Sequence, residues 1–376
     1  MAAVISGRGL TPANATPYVT NADPVLLPKW ASQLDKVRDG IADAVIVCDG
    51  DSTTFGFGSA PTSGDQRSHS YPAHLAAIIA ASTGLGASAA GVAGFRTGAT
   101  NGQVSLYDAR ITLRGTTNPG VTGIGGLAAN WSAAGGMDFA PAGAFNTAEI
   151  AVVANGCQFS WGVDGGATTT VTTASTLAVT RYTLPLGSVG THSLNLNWVS
   201  GSLYLMSLSF YDGTRRQVRV IAGGASGAKV GDMTANSSHW DPLKMISEGA
   251  LGQCLLVDMW GINDWNAATS VSSFGASIAA RIAAAKAAGD VILMSGVPSD
   301  PSQSGNASLA VQSTYVAEMR RQAVLGNVPF IDNWSRYGGL FSTMNANGLF
   351  YDDKHPKGAG YANIARAVAR GLLAAS

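Results

Sequence analysis

Hydrophobic positions change their spacing twice along this chain, and the changes divide it. Near the start, Leu27, Trp30, Leu34 and Val37 recur at the spacing of one helix face, which ends near Gly40. Ala44-Val45-Ile46-Val47-Cys48 follows as an unbroken apolar run, the pattern of a buried strand. Ser70 and Pro72 mark the start of a second helix that carries Leu75, Ile78 and Ile79 and stops at Gly84. Residues 1–22 are polar, with Pro and Thr, and read as an irregular lead-in.

From 103 to 216 the texture is different. Gly, Thr and Ser are frequent, and short alternating runs appear, such as Glu149-Ile150-Ala151-Val152-Val153 and Ser193-Leu194-Asn195-Leu196-Asn197-Trp198. Val163-Asp164-Gly165-Gly166 is a hairpin-turn signal. This predicts an all-β sandwich, with Trp131, Trp161 and Trp198 in its core. Beyond 217, apolar runs at 218–221, 255–257, 291–294 and 328–331 alternate with helical patterns. That rhythm predicts a parallel sheet with helices on both faces. The expected organisation is an α/β domain formed by 1–102 and 217–376, interrupted after its first strand and helix by the β module at 103–216. Such a module is expected to own its core and to be removable.

Composition narrows the picture. The chain has 376 residues, 46% hydrophobic and 12% charged, with a formal net charge of zero. No basic surplus points to nucleic acid. Cys48, Cys157 and Cys254 lie far apart, and no CxxC or His-rich cluster points to a metal or a disulfide framework. Cys48 and Cys254 read as small core side chains. The first residues lack a basic segment followed by an apolar core, so no secretory signal is visible. The apolar helical stretch at 74–81 is too short to span a bilayer, and a soluble chain is expected.

The chemistry sits in four short phrases: Gly50-Asp51-Ser52-Thr53, Ala225-Ser226-Gly227, Gly261-Ile262-Asn263-Asp264 and Asp352-Asp353-Lys354-His355. Read singly, each is a common turn. Three of them follow predicted parallel strands, where open α/β sheets gather their sites, and the fourth precedes the last helix. Together they offer a nucleophile in Ser52, a backbone donor at Gly227 and an amide donor in Asn263. They also offer a base, His355, with Asp352 three residues before it to orient the imidazole. Gly94, in Val92-Ala93-Gly94-Phe95, rivals Gly227, which is preferred because an evident strand precedes it. Trp260 and Trp265 flank Asn263 and could stack on a sugar or pack in the core. Asp264 reads as structural, and His69, His74, His192 and His239 have no matching motif.

The order and wording of these phrases resemble the SGNH hydrolase, or GDSL esterase, superfamily over 44–95 and 218–376. The resemblance implies a three-layer, flavodoxin-like α/β fold with a parallel sheet, here carrying an inserted β-sandwich. It implies a catalytic triad of Ser52, Asp352 and His355. It also implies an oxyanion hole from the Ser52 and Gly227 N–H groups and the Asn263 amide, and it calls for no cofactor and no metal. Thr53 stands where Leu is usual, and Ala222 where the second motif usually carries Asn. Val163-Asp164-Gly165-Gly166 and Gly190-Thr191-His192-Ser193-Leu194 resemble sandwich modules of bacterial and phage members, which often deacetylate polysaccharides. The expectation is therefore a serine esterase acting on O-acetyl groups of a carbohydrate, extracellular or virion-associated, with neither nucleic acid nor membrane insertion. A lipid-ester or thioester hydrolase is one alternative, and a carbohydrate-binding adhesin with a vestigial site is another. Nothing in the chain indicates an oligomeric state.

Overall fold

The computed structural model describes residues 19–20, 26–60, 63–95, 102–115 and 121–374. The strands are β1 Val19–Thr20, β2 Ala44–Gly50, β3 Gly86–Ala93, β4 Ile111–Arg114, β5 Thr122–Gly123, β6 Gly126–Leu127, β7 Ala129–Trp131, β8 Gly136–Phe139 and β9 Phe145–Ala154. They continue as β10 Gln158–Val163, β11 Thr168–Thr172, β12 Ala178–Gly190, β13 Leu194–Ser200, β14 Leu203–Tyr211, β15 Gln217–Gly224, β16 Leu255–Trp260, β17 Asp290–Ser295 and β18 Phe330–Ile331. The helices are α1 Pro28–Arg38, α2 Ser52–Phe55, α3 Tyr71–Thr83, α4 Gly102–Tyr107, α5 Pro242–Glu248 and α6 Ile262–Asn266. After them come α7 Val271–Ala288, α8 Leu309–Gly326, α9 Asn333–Arg336, α10 Phe341–Ala346 and α11 Gly358–Ala374.

The continuous apolar runs become the middle of the sheet. β2, β15, β16 and β17 are buried along their whole length, as strands covered on both faces must be. The main sheet runs β1-β18-β17-β16-β2-β15-β3-β14-β9-β12, with β7 also beside β14. Pairing is parallel from β18 to β3 and antiparallel at both ends. Helices flank the parallel part: α3 packs with α11, and α7 packs with α5 and α8. Gly84 closes α3 in a left-handed conformation at φ 72°, as its position after the last apolar residue predicts.

β3 was not foreseen. Gly86-Ala87-Ser88-Ala89-Ala90-Gly91 carries no β-branched side chain, so nothing in its pattern announces a strand. Its neighbours impose the conformation, and small residues allow the close fit: a Cβ added at Gly91 would lie 2.8 Å from the Val220 carbonyl oxygen. The insertion therefore leaves the α/β unit after its second parallel strand, and Gly94 does follow a strand. Both points correct the reading from pattern.

The inserted segment also differs from a free-standing sandwich. A five-stranded sheet, β11-β10-β13-β8-β4, forms one layer. The other layer is the far end of the main sheet, where β14 pairs with β3 through Ser207↔Ala93, Leu208↔Val92 and Ser209↔Gly91. Between the layers lie Trp131, Phe139, Phe159 and Phe210, together with Ala90, Val92 and Phe95 from the host unit. Trp161 and Trp198 are half-buried against this core. Host and insertion thus share a sheet and a core.

Cys48 and Cys157 are buried, Cys254 lies half-buried just before β16, and none is in a disulfide. Among the described residues no helix is long and apolar enough to cross a membrane, and no cluster of metal-ligating side chains appears. Apart from Val19–Thr20, the reading of the N-terminal lead-in falls outside the described residues.

Candidate active site

Three neighbouring parallel strands end level with one another. Gly224 of β15 pairs with Gly50 of β2, and Gly50 with Met259 of β16. The turns after them emerge side by side and bring three of the four motifs to one end of the sheet, with a separation set by strand spacing alone. Gly50 is required by space: an added Cβ would fall 2.4 Å from the Met259 carbonyl oxygen and 2.3 Å from Thr54 Oγ1. Asp51 then caps α2, its Oδ1 accepting the Thr53 N–H at 2.8 Å. Ser52 is the first residue of that helix, so its own N–H has no acceptor within the helix.

The fourth motif reaches Ser52 from the far end of the chain. Ser52 Oγ lies 2.8 Å from His355 Nε2. His355 Nδ1 lies 2.8 Å from Asp352 Oδ2 and 3.0 Å from Oδ1. An ionised carboxylate only accepts, so the proton sits on Nδ1 and Nε2 is left to accept from the serine hydroxyl. Burial pushes the Asp352 carboxyl up, but hydrogen bonds from the His355 ring and from the Lys354 and His355 N–H groups outweigh it. The net shift is downward, which keeps Asp352 ionised. Asp353 turns away to accept from Asn306 Nδ2 at 2.6 Å and to pair with Lys354 at 3.3 Å. Phe57 backs the imidazole with ring centroids 4.6 Å apart, and Tyr361 of α11 donates to the Phe57 carbonyl at 2.6 Å.

The two glycines proposed as donors stand in different surroundings. Gly227 has φ +80° and open space where a Cβ would be, and its N–H has no acceptor among the described residues. Gly94 donates to the Met206 carbonyl at 3.2 Å, and its own carbonyl accepts from Arg67 at 3.0 Å. It is also wedged against Gly125, whose carbonyl oxygen a Cβ would meet at 1.9 Å. Asn263 Nδ2 donates to the Ala228 carbonyl at 2.9 Å, which uses one of its two amide hydrogens and leaves the other. That bond ties the turn after β15 to the start of α6.

Asp264 is buried; its Oδ2 accepts the Val230 N–H at 3.1 Å and its Oδ1 has no partner. Burial, with the Asp51 charge adding to it, pushes its carboxyl up to about 7. Asp51 is likewise buried with an unpartnered Oδ2, and burial pushes it up to about 6.

Trp260 and Trp265 are not available to stack on a sugar. They are 0% and 1% exposed, with Trp260 Nε1 bonded to Asp258 Oδ1 at 2.8 Å and Trp265 Nε1 to Ser299 Oγ at 3.2 Å. Flanking position in sequence did not translate into exposure, because both side chains turn under the loop into the core.

Sequence reasoning missed the buried charges beneath the site. Arg281 of α7 bridges Asp49 Oδ2 and Asp258 Oδ1, each at 2.7 Å, with all three fully buried. Burial works against the guanidinium charge, but the two carboxylates outweigh it and raise its pKa. Burial pushes Asp49 up to about 6 against the attraction of Arg281. Asp49 Oδ1 also accepts the Gly50 N–H at 3.0 Å and the Gly125 N–H at 3.3 Å, so the group joins β2, β16, α7 and the insertion. Arg67 donates to the Ala93, Gly94 and Ala222 carbonyls and so pins the ends of β3 and β15. Lone charged residues on predicted helices and strands carry no sequence signal for such long-range partners.

No family model matches the chain, and no curated protein matches it in sequence. Among solved structures, one described as a peptidoglycan O-acetylesterase in action aligns over 95% of this chain and 98% of its own, with a TM-score of 0.68 at 16% identity. An acetylxylan esterase from Geobacillus stearothermophilus aligns over 42% of this chain and 73% of its own, with a TM-score of 0.34 at 21% identity. A carbohydrate esterase family 2 enzyme with a carbohydrate-binding domain, from Corynascus thermopiles, aligns over 70% and 99%, with a TM-score of 0.32 at 12% identity. The last two likenesses are too slight to bear on architecture. The first, with the strand order above, shows that the chain shares the α/β fold of that structure over nearly its whole length, a mostly parallel sheet with an added antiparallel sheet.

Proposed function

We propose that this chain is a serine esterase that removes O-acetyl groups from a carbohydrate. The observation that carries the reading is the continuous relay from Ser52 Oγ through His355 to Asp352, at 2.8 Å per step. The fold shared with a structure described as a peptidoglycan O-acetylesterase supports the substrate class.

In this reading His355 Nε2 takes the Ser52 proton as Oγ attacks the ester carbonyl. The C=O electron pair moves onto oxygen. The Ser52 N–H, the Gly227 N–H and the second hydrogen of the Asn263 amide stabilise the resulting oxyanion. Gly227 is favoured over Gly94 as donor, since the Gly94 N–H is already engaged. Collapse expels the sugar alkoxide, which leaves with the proton held on Nε2, and Ser52 carries the acetyl group. Water, deprotonated by His355, attacks the acyl-enzyme and releases acetate. Asp352 holds the tautomer and stabilises the imidazolium. The inserted module lies beside the site and contributes to binding the polymer, without supplying a catalytic group.

The test is acetate release from O-acetylated xylo-oligosaccharides and O-acetylated peptidoglycan fragments by the wild type and by Ser52→Ala. Hydrolysis that falls by several orders of magnitude in a folded Ser52→Ala variant is the expected result. Wild-type activity on neither glycan, or near-normal turnover in the variant, would overturn the reading.

A further inference from the structure

The two tryptophans that sequence offers to a sugar are buried, which leaves open what a glycan would stack on. Among the described residues one aromatic side chain is exposed, Tyr351, at 53%. It stands beside the relay. Its N–H donates to the His355 carbonyl at 2.8 Å, and the adjacent Phe350 bridges Pro356, so the chain doubles back across His355. Its ring and that of Phe57 meet nearly at right angles, with centroids 6.1 Å apart at 77°. Phe57 in turn backs the His355 ring. Gly58, at φ +80°, lets the ring lie close: an added Cβ would fall 2.7 Å from Tyr351 Cβ and 2.8 Å from Cδ1.

An exposed aromatic is usually a cost, because its area gains nothing from burial in the free protein. This one is packed against Phe57 and Gly58, so little rotamer freedom is lost when a ligand covers it. Its backbone is fastened to the proposed base, so its place relative to Ser52 is set. A flat apolar face with a hydroxyl at its rim suits the C–H-lined face of a pyranose. The geometry points to Tyr351 as a specificity-determining residue that stacks on the sugar bearing the ester. Resting on the esterase reading above, this assigns the glycan contact to the loop before His355.

The experiment compares an O-acetylated xylo-oligosaccharide, or an O-acetylated peptidoglycan fragment if that is hydrolysed faster, with ethyl acetate, which has no ring to stack. For Tyr351→Ala, the ratio of kcat/KM on the glycan to kcat/KM on ethyl acetate should fall by about tenfold, carried by KM on the glycan. Tyr351→Phe and Tyr351→Trp should keep that ratio within about twofold. Gly58→Ala, which displaces the ring, should lower it in the same direction as Tyr351→Ala. An unchanged ratio in Tyr351→Ala would overturn the assignment, whether because neither substrate is affected or because both fall together through His355. If the wild type hydrolyses ethyl acetate but neither glycan, the carbohydrate reading itself fails and Tyr351 with it.

Discussion

Ser52 and His355 are 303 positions apart in sequence, yet Oγ and Nε2 lie 2.8 Å apart. The contact closes the molecule across its whole length, since one residue follows the first parallel strand and the other precedes the last helix. On the esterase reading, Asp352 decides whether that contact is productive, because its carboxylate holds the proton on Nδ1.

Asp352→Asn therefore isolates the electrostatic part of the relay. An asparagine oxygen can still accept the Lys354 and His355 N–H groups, which hold the loop. It can also present an amide donor to Nδ1 and so favour the wrong tautomer. The expected loss in kcat is roughly 10²–10⁴, with little change in thermal stability. Steady-state kinetics beside a melting curve would check it, and a kcat within a few-fold of wild type would count against the role of Asp352.

Asn263→Ala should cost roughly 10²–10³ in kcat, the size of one lost oxyanion donor, with a small effect on KM. Because Asn263 also holds the Ala228 carbonyl, the turn bearing Gly227 loses a tether, and the loss should sit at the upper end of that range. A change confined to KM would make Asn263 a ground-state contact.

Asp264 makes stability depend on pH. Burial raises its folded-state carboxyl to about 7 from an ordinary 3.8, so the folded protein binds this proton more tightly than the unfolded chain does. Its contribution is present in full below pH 3.8 and is lost as pH rises to about 7, with Asp51 acting in the same direction up to about 6. Asp264→Asn keeps an acceptor for the Val230 N–H and removes the charge. Denaturant midpoints measured between pH 4 and pH 8 should show a flatter profile in the variant, with its largest relative gain at the alkaline end. Parallel profiles in the two proteins would refute this.

Removing the inserted segment should fail, contrary to the expectation drawn from its composition. Deleting about residues 103–216 would strip β14 from β3, leaving an unpaired strand edge and uncovering Ala90, Val92 and Phe95. It would also take Tyr107 from the rings of Phe55 and Phe57. The expected result is an aggregated product, or a soluble one inactive even on ethyl acetate. Calorimetry of the intact chain should show one transition for both halves. A soluble deletion variant with normal ethyl acetate turnover would show the halves to be independent.

The strand-then-turn motifs were legible because β2, β15 and β16 are fully buried and so read as unbroken apolar runs. Ser52, Gly227 and Asn263 could be picked out for that reason and follow strands that end level with one another, whereas His355 stood out by Asp352 three residues before it and reaches Ser52 from the segment before the last helix. β3 was illegible because alanine and glycine take whatever conformation their neighbours impose. Gly94 and Gly227 differ in whether the N–H is already engaged, a difference that the sequence does not carry and that favours Gly227 only on the esterase reading. Trp260 and Trp265 misled because one ends β16 and the other lies on α6, and both elements turn these side chains into the core.

The ladder between β3 and β14 has one more consequence. Catalytic and binding modules joined by a flexible tether meet at an effective concentration that tether length sets, and the catalytic module then samples a range of positions along a polymer. Here hydrogen bonds between strands replace the tether. A glycan gripped by the inserted segment would meet Ser52 at one spacing and one angle, so each binding event would address esters in a fixed register along the chain of sugars.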